Sequence, residues 1–264
     1  MASPPSQSRS PSPAVTMAAL VLGVLADASP EPMGPSAIGR RLGVAKSSVA
    51  NICTALVGVG FARREGTGYV LGQRLAELGS VYLDGVDELK VFQDVCAELL
   101  PASRETVQIA ALGPGLEVTH LAGRDGTVRI QLVSDAGHHL PATCTATGKA
   151  LLAALPEAEL DRRLDGASLI RCTPRSITDP DRLREDLAQT RARGYSVDDQ
   201  ELIDGMLCIG AVVPHAGVTP TYAVSITSLR AWITPGSVER LGRQLLEVSE
   251  AMARRLGHGS RLTA

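Results

Sequence analysis

The stretch GPSAIGRRLGVAKSSV, residues 34–49, has the pattern of two short helices joined by a tight turn. Ser36 can cap a helix over residues 37–42, and Gly43 can end it. A further helix is predicted from about Ala45 to Val57. Its apolar residues recur at helical spacing on one face: Val49, Ile52, Cys53 and Leu56. The stretch therefore predicts a helix-turn-helix.

The sequence on either side completes a winged helix-turn-helix over residues 14–71. A first helix is predicted to begin near Ala14 and to end before the breaker cluster SPEP, residues 29–32. The segment FARREGTGYVLG, residues 61–72, predicts a small hairpin with an arginine pair on its first strand. Residues 1–13 form a Pro/Ser-rich segment that we expect to be a disordered tail.

Duplex DNA is the partner that this chemistry favours. Helix N-termini and small polar side chains donate to phosphates, and Asn can pair with adenine in the major groove. Arginines on the wing would add salt-dependent phosphate contacts. The predicted DNA-binding residues are Ser36, Lys46, Ser47, Ser48, Asn51, Arg63 and Arg64. The alternative is a small helical domain whose polar face is merely solvated.

Composition is that of a globular protein with an uneven charge. The 264 residues are 44% apolar and 20% charged, with a net charge of −2. Residues 1–80 carry +3 and the remainder −5, which hints at an anionic partner for the N-terminal part. Five scattered cysteines contain no CxxC pair, which argues against a zinc ribbon or a disulfide scaffold. They suit a reducing cytoplasm.

Membrane insertion and secretion are both disfavoured. No apolar run approaches the roughly 18 residues of a spanning helix. The segment MAALVLGVLA, residues 17–26, could be a signal-peptide core, because small residues follow it. A single Arg precedes it among many Pro and Ser residues, so a packed helix is the preferred interpretation. We expect a cytoplasmic protein.

A linker helix over residues 72–85 is predicted between two domains. Apolar residues recur there at steps of four, three and four, at Leu71, Leu75, Leu78 and Tyr82. Such a stripe is usually intramolecular core, but here it could pair with a second copy of the chain.

The second domain, residues 86–264, alternates predicted helices and strands. Strands are expected at residues 107–111, 116–121, 127–133, 208–213 and 222–227, and helices at 88–100, 148–155 and 237–256. Thr178 and Asp181 predict a capping box for a helix that Gly194 ends. An α/β domain of this kind could be a sensor or an enzyme.

The chain resembles the IclR family of bacterial transcriptional regulators from about residue 15 to residue 257. The resemblance is carried by separate motifs in the family's order: residues 34–49, 68–72, 75–79, 104–107, 140–141, 146–152, 173–179, 193–201 and 205–214. It implies an α/β (α+β) protein with an N-terminal winged helix-turn-helix, a dimerising linker helix and a C-terminal GAF/PAS-like effector-binding domain.

The function implied by the resemblance is ligand-responsive control of catabolic or metabolic genes. Family members bind a double-stranded DNA operator as dimers or tetramers, and an organic acid or aromatic effector alters their affinity. We expect a repressor, and no cofactor. The family's effector pocket, carried over by motif, would use Leu140, Ala146, Thr147, Gly148, Asp198, Met206, Cys208, Ser225 and Thr227.

Roles within that pocket follow from chemistry. The helix N-terminus at residues 147–149 would offer N–H groups to a carboxylate. Ser225 and Thr227 would share one strand face and bind the ligand, while Leu140 and Met206 would form an apolar wall. Asp198 would accept from a hydroxyl. The sequence departs from the common family pattern at residues 50–51, 141–144 and 205–208, so neither operator nor effector transfers from a relative.

Two other interpretations remain open. An enzyme could use Cys144 or Cys208 as nucleophile, with His120, His138, His139 or His215 as base. Apolar neighbours of Cys208 favour a packed thiol instead. Adjacent His138 and His139 would point to opposite strand faces, and we predict no metal site. A third interpretation is a regulator that senses through protein contact and has an empty pocket.

Overall fold

The computed structural model describes residues 11–85, 87–127, 137, 139–215 and 219–257. The chain divides into two compact units, Met1–Gly85 and Val86–Ala264. Most of the predicted tail, the predicted strand over 127–133 beyond Thr127, the side chain of Tyr82 in the linker stripe and His138 lie outside the described residues.

The N-terminal unit contains the predicted winged helix-turn-helix. Its elements are α1 Pro13–Ala28, α2 Pro35–Leu42, α3 Lys46–Gly58, β1 Ala62–Glu65, β2 Gly68–Leu71 and α4 Arg74–Asp84. Strands β1 and β2 pair antiparallel, with Ala62 opposite Leu71. Gly43 ends α2 at φ +70°, the left-handed conformation that a residue without Cβ adopts readily.

Burial in this unit follows the predicted helix faces. Val49, Cys53 and Leu56 of α3 are buried, and they form one core with Val21 and Leu25 of α1. The prediction that Ser36 caps α2 is wrong. Gly34 is the residue before the helix, Pro35 occupies the first turn, and no side chain caps it. Pro suits that position because its missing N–H would have no helical acceptor.

The C-terminal unit is an antiparallel sheet with helices on both faces. Its strands are β3 Thr106–Leu112, β4 Glu117–Arg124, β5 His139–Pro141, β6 Ser196–Asp199, β7 Met206–Val212 and β8 Tyr222–Leu229. In the described part of the chain they lie in the order β5-β4-β3-β8-β7-β6. The helices are α5 Asp87–Leu99, α6 Ala146–Ala154, α7 Glu157–Leu164, α8 Pro180–Arg193 and α9 Ser237–Arg255, with a 3-10 turn at Arg230–Trp232.

Strand alternation divides the sheet into two faces. One face packs against α5 and α9, and the other against α6, which α8 covers. On the α6 face Gln108 lies opposite Ser225, and Cys208 lies between Thr227 and Asp198 on the neighbouring strands. Polar residues are therefore concentrated under the first turn of α6, where aliphatic residues would otherwise be expected.

The predicted capping box of α8 is wrong in its residues. The cap is Asp179, whose Oδ1 accepts the backbone N–H groups of Asp181 at 3.0 Å and Arg182 at 2.9 Å. Thr178 is engaged elsewhere, since its hydroxyl accepts from Arg171 at 3.2 Å. The helix ends at Arg193, before Gly194, as predicted.

Candidate functional site

All the residues predicted to bind DNA are exposed on the N-terminal unit: Ser36, Lys46, Ser47, Ser48, Asn51, Arg63 and Arg64. Lys46, Ser47 and Ser48 form the first turn of α3, and Asn51 follows one turn later. The buried stripe of the same helix leaves this face to solvent. Arg40 is exposed in the last turn of α2 and was not singled out from the sequence.

The wing arginines are held only by surface contacts. Arg63 Nη1 lies 2.5 Å from Glu65 Oε2, and the Arg64 guanidinium lies 6.0 Å from the centre of the Tyr69 ring. An exposed ion pair contributes little stability, so a phosphate can replace the carboxylate at small cost. Both arginines are therefore available to a DNA backbone.

A second candidate site is a cavity in the C-terminal unit, between the sheet and the first turn of α6. Gly210 allows the helix to approach the sheet this closely, and Gly148 allows it to approach the turn that follows β5. A Cβ on Gly148 would lie 2.3 Å from the backbone of Ala142, and one on Gly210 would lie 2.4 Å from the carbonyl oxygen of Ala146. Both positions therefore exclude any larger residue without movement of the backbone.

Most of the predicted effector residues line this cavity, together with residues that were not predicted to bind an effector. The predicted ones are Ala146, Thr147, Asp198, Cys208, Ser225 and Thr227, and the others are Gln108, His120, Thr145 and Leu202. Gln108 and His120 were detectable only as polar residues on predicted strands, since nothing in the sequence gave the face on which they lie.

Leu140, Gly148 and Met206 do not line the cavity. Leu140 packs against the aliphatic cluster around α6 and α8, and Met206 is the first residue of β7, opposite Leu229. The Gly148 N–H was expected to bind a ligand. It donates instead to Thr145 Oγ1 at 3.2 Å, so it is not available. The Lys149 N–H is also taken, by the Thr145 carbonyl at 2.9 Å. Only the first N–H groups of α6 remain for a ligand.

Asp198 is the buried acid of the cavity. Its Oδ1 accepts the backbone N–H groups of Glu201 at 2.7 Å and Leu202 at 3.4 Å. Burial raises the pKa of Asp198 to about 6. The two backbone hydrogen bonds and the positive charge of nearby Lys149 limit the rise. The carboxyl therefore titrates close to neutral pH.

A buried ionic network lies beside Asp198. Lys149 Nζ, fully buried, contacts Glu201 Oε1 at 2.5 Å, the Val197 carbonyl at 2.6 Å and Asp186 Oδ2 at 3.1 Å. Two of the three ammonium donors make hydrogen bonds, to Glu201 and the Val197 carbonyl, and the contact with Asp186 is an ion pair without one. Burial raises the pKa of Glu201 to about 7, against the attraction of Lys149.

The two candidate nucleophiles, Cys144 and Cys208, have the environment of packed thiols. Burial raises the pKa of Cys208. Its thiol hydrogen-bonds to the Asp198 carboxylate, and its Sγ accepts a hydrogen bond from Thr227 Oγ1 at 3.3 Å. Cys144 is buried and donates to the Ile170 carbonyl at 3.3 Å. Among the described residues, no group of His, Cys, Asp or Glu is arranged to hold a metal ion.

The cavity is small. Its volume is about 10 Å³, which is close to the space that one water molecule requires. Any organic ligand must therefore widen it. Leu202, on the segment that joins β6 and β7, is the one large aliphatic side chain in its lining among the described residues.

Each of the two units matches one domain of the same known protein family. Residues 14–66 match the IclR helix-turn-helix domain, and residues 80–254 match the C-terminal domain of the bacterial transcriptional regulator IclR. The chain belongs to the IclR family. Its N-terminal unit is thus the family's DNA-binding domain, and its C-terminal unit is the family's effector-binding domain.

Individual relatives of the IclR family agree with this assignment. The chain is 34% identical to an HTH-type transcriptional regulator of Mycobacterium tuberculosis, over 77% of this chain and 78% of that one. It is 28% identical to the transcriptional repressor IclR of Escherichia coli, over 81% and 79%. The crystal structure of an IclR homolog from Microbacterium hydrocarbonoxydans, complexed with 4-hydroxybenzoate, covers 92% of this chain and 99% of its own, with 25% identity and TM-score 0.72.

The protein is accordingly a DNA-binding transcriptional regulator with an effector-binding domain. The family consists of transcriptional regulators rather than enzymes, and the alternative of a cysteine-dependent enzyme has no support in the comparisons. No helix in the described ranges is long and apolar enough to cross a membrane.

Proposed function

We propose that this regulator is a cytoplasmic repressor of catabolic or metabolic genes, and that a small organic acid or aromatic effector in the Asp198 cavity changes its affinity for an operator. It acts as a dimer or tetramer, without cofactor and without catalysis of its own. The observation that carries the proposal is the placement of polar groups around a small cavity under α6. A packed core at that position would be aliphatic.

The DNA contacts are assigned to residues 14–71. Ser47, Ser48 and Asn51 on the exposed face of α3 read base edges and nearby phosphates, and Lys46 adds charge. Arg63 and Arg64 on the hairpin contact the backbone of the duplex. Ser36, exposed in the first turn of α2, contacts a phosphate.

Self-association is assigned to the linker helix α4, within residues 72–85. Leu78 is 46% exposed and Val81 is 70% exposed on this helix. Two large aliphatic side chains at i and i+3 lie on one helical face, and burial against a second copy would remove both from water. Dimerisation would also present two recognition helices to two half-sites of an operator.

Effector recognition is assigned to the cavity residues of the C-terminal unit, residues 86–264. Ser225 and Thr227 alternate onto one face of β8 and offer hydroxyl groups. Thr147 Oγ1 is buried and has no hydrogen-bond partner among the described residues. An unsatisfied buried hydroxyl costs about 1–3 kcal/mol, and a ligand oxygen or a water would recover part of that.

Reciprocal variants test the separation of the two roles. We expect the double variant Asp198→Ala with Ser225→Ala to bind operator DNA normally and to lose its response to effectors. The variant Asn51→Ala should lose operator affinity and still bind the effector. Loss of DNA binding in the cavity variant would contradict the assignment. A wild-type protein that responds to no small molecule would instead favour a sensor of protein contacts.

A further inference from the structure

We propose that Asp198 binds the carboxylate of an acidic effector in its protonated form, so that each ligand enters the cavity together with one proton. This inference rests on the proposed effector function of the same cavity. It adds a regulatory property, because effector affinity would then report cytoplasmic pH as well as effector concentration. Asp198 would act as a specificity-determining donor rather than as a fixed negative charge.

No uncommitted cation lies beside the ligand position in the described part of the chain. Lys149, whose charge acts on Asp198, is already ion-paired with two carboxylates, those of Glu201 and Asp186. Among the described residues, neither Lys nor Arg lines the cavity. One ammonium thus faces three carboxyl groups, and an additional ligand carboxylate would add a further charge that nothing neutralises.

The N-terminus of α6 provides a position for a ligand carboxylate. The helix presents its first N–H groups to the cavity, and the buried Thr147 hydroxyl beside them has no partner in the described structure. This residue is 1% exposed. Helix N-termini attract carboxylates, so a ligand carboxylate has a position there that is also close to Asp198.

The two oxygens of Asp198 have different surroundings. Oδ1 accepts two backbone N–H groups, and the Cys208 thiol also hydrogen-bonds to the carboxylate. We therefore assign the proton to Oδ2. The Oδ2–H group can donate to one oxygen of the ligand carboxylate. Protonation removes the repulsion between the two acids, and the pair shares one proton and one negative charge, as adjacent carboxyl groups do in other buried sites. The proton comes from solvent, and no bond to carbon changes.

The groups that could titrate in place of Asp198 are few and identifiable. Those around Asp198 and its neighbour Glu201 are Lys149 on α6, Asp186 on α8, Glu201, Cys208 on β7, His120 on β4 and Cys172. Gln108 Nε2 lies 3.1 Å from His120 Nδ1. His120 is therefore the group whose titration the experiment must separate from that of Asp198.

Calorimetric titration of the full chain between pH 5 and pH 8 tests the proposal. The probes are acetate, glycolate and lactate, with acetamide, glycolamide and lactamide as neutral counterparts. Each titration is carried out in two carboxylate-free buffers that differ in ionisation enthalpy. Burial raises the pKa of Asp198 to about 6. Acid affinity should therefore fall by about two orders of magnitude from pH 5 to pH 8, with uptake of about one proton per ligand above that pKa.

Matched variants identify the proton carrier. Asp198→Asn keeps an acceptor for the two backbone N–H groups and supplies a permanent donor. It should bind the acids with little dependence on pH and with no proton uptake. Asp161→Asn, at an exposed carboxylate paired with Arg184, should retain the wild-type dependence. A pH dependence that persists in Asp198→Asn and disappears in His120→Asn would overturn the proposal.

Other outcomes separate this proposal from the effector function on which it rests. Amides that bind better than acids at pH 5, with binding that Thr227→Val abolishes, would refute proton coupling and leave an effector cavity. Acid affinity that rises with pH would also refute it. If no probe shows binding that Thr227→Val abolishes, both the proton coupling and the effector function of the cavity are refuted.

Discussion

Lys149 Nζ and Glu201 Oε1 lie 2.5 Å apart in the interior of the C-terminal unit, with no exposed surface on the lysine. This contact ties α6 to the segment after β6, which also carries the backbone groups that Asp198 binds. Taking a lysine out of water is strongly unfavourable unless acidic partners accompany it. The ion pair therefore fixes the wall of the Asp198 cavity rather than adding much net stability.

Removal of Lys149 should be strongly destabilising. In Lys149→Met the carboxylates of Glu201 and Asp186 would remain near each other without their cation. We expect the free energy of unfolding to fall by about 3–5 kcal/mol, as for other broken buried pairs, in urea denaturation at neutral pH. Arg184→Ala, which breaks an exposed pair with Asp161, is the control and should change stability little. Equal effects of the two variants would contradict the structural role of Lys149.

The stability of the protein should decrease from pH 5 to pH 8. Burial raises the folded-state pKa of Asp198 to about 6 and of Glu201 to about 7, above their ordinary values. Between the unfolded and folded pKa values the native state binds more protons than the unfolded state, so the free energy of unfolding falls as pH rises. The decrease should be on the order of 4 kcal/mol, about one third of it from Asp198 and the rest from Glu201.

Asp198→Asn is the variant that checks this interpretation. Because it removes one of the two titrating carboxyls, the decrease between pH 5 and pH 8 should become smaller than in the wild-type protein. Urea unfolding at several pH values measures both slopes. An unchanged slope would show that Asp198 has an ordinary pKa in the folded state.

Association through α4 should depend on its exposed aliphatic face. Val81→Asp, at a position that is 70% exposed, should weaken the dimer by about 10-fold or more, because burial of a large aliphatic side chain contributes about 1.5–3 kcal/mol. Sedimentation velocity at micromolar protein measures the change. Ile170→Asp, at an aliphatic residue of the other unit that is 57% exposed, should leave the sedimentation coefficient unchanged. Dissociation by Ile170→Asp alone would move the interface away from α4.

The wing arginines should contribute salt-dependent rather than sequence-specific affinity. Arg63→Ala with Arg64→Ala should weaken binding to operator and unrelated DNA alike. The slope of log affinity against log salt should decrease by about 2, because each arginine that is removed leaves about one phosphate without its partner. Anisotropy titrations at several salt concentrations give that slope. Loss of discrimination between the two DNAs, with an unchanged slope, would assign the arginines to base readout instead.

The periodicity of apolar residues was sufficient to predict the buried face of α3 in the N-terminal unit, because burial there follows helix faces. The stripe of Val49, Cys53 and Leu56 is visible in one helix, and its burial fixes which side of α3 faces solvent. The helix α7 was not predicted, because Glu157–Leu164 is mostly charged and only Leu160 and Leu164 are buried. Two apolar residues one turn apart give too little signal against the surrounding charges.

The cavity was only partly predictable, since its residues come together through strand order. Ser225 and Thr227 alternate within one strand, and their shared face follows from the sequence alone. Gln108 and His120 join them because β3 lies between β4 and β8, a neighbour relation that no local pattern contains. Lys149 carried a detectable signal, since a lysine inside the apolar run of α6 requires buried acidic partners. Those partners are about 40–50 residues away in the chain, which is why the sequence did not identify them.

Retention of sheared genomic DNA from the source organism, at about 150 mM salt, tests the central claim most directly. The wild-type protein and Asn51→Ala are incubated with the same fragments, and the retained DNA is sequenced. We expect one or a few enriched palindromic sites for the wild-type protein and loss of that enrichment in the variant. Uniform, salt-labile retention, or equal enrichment by both proteins, would contradict specific recognition by the exposed face of α3.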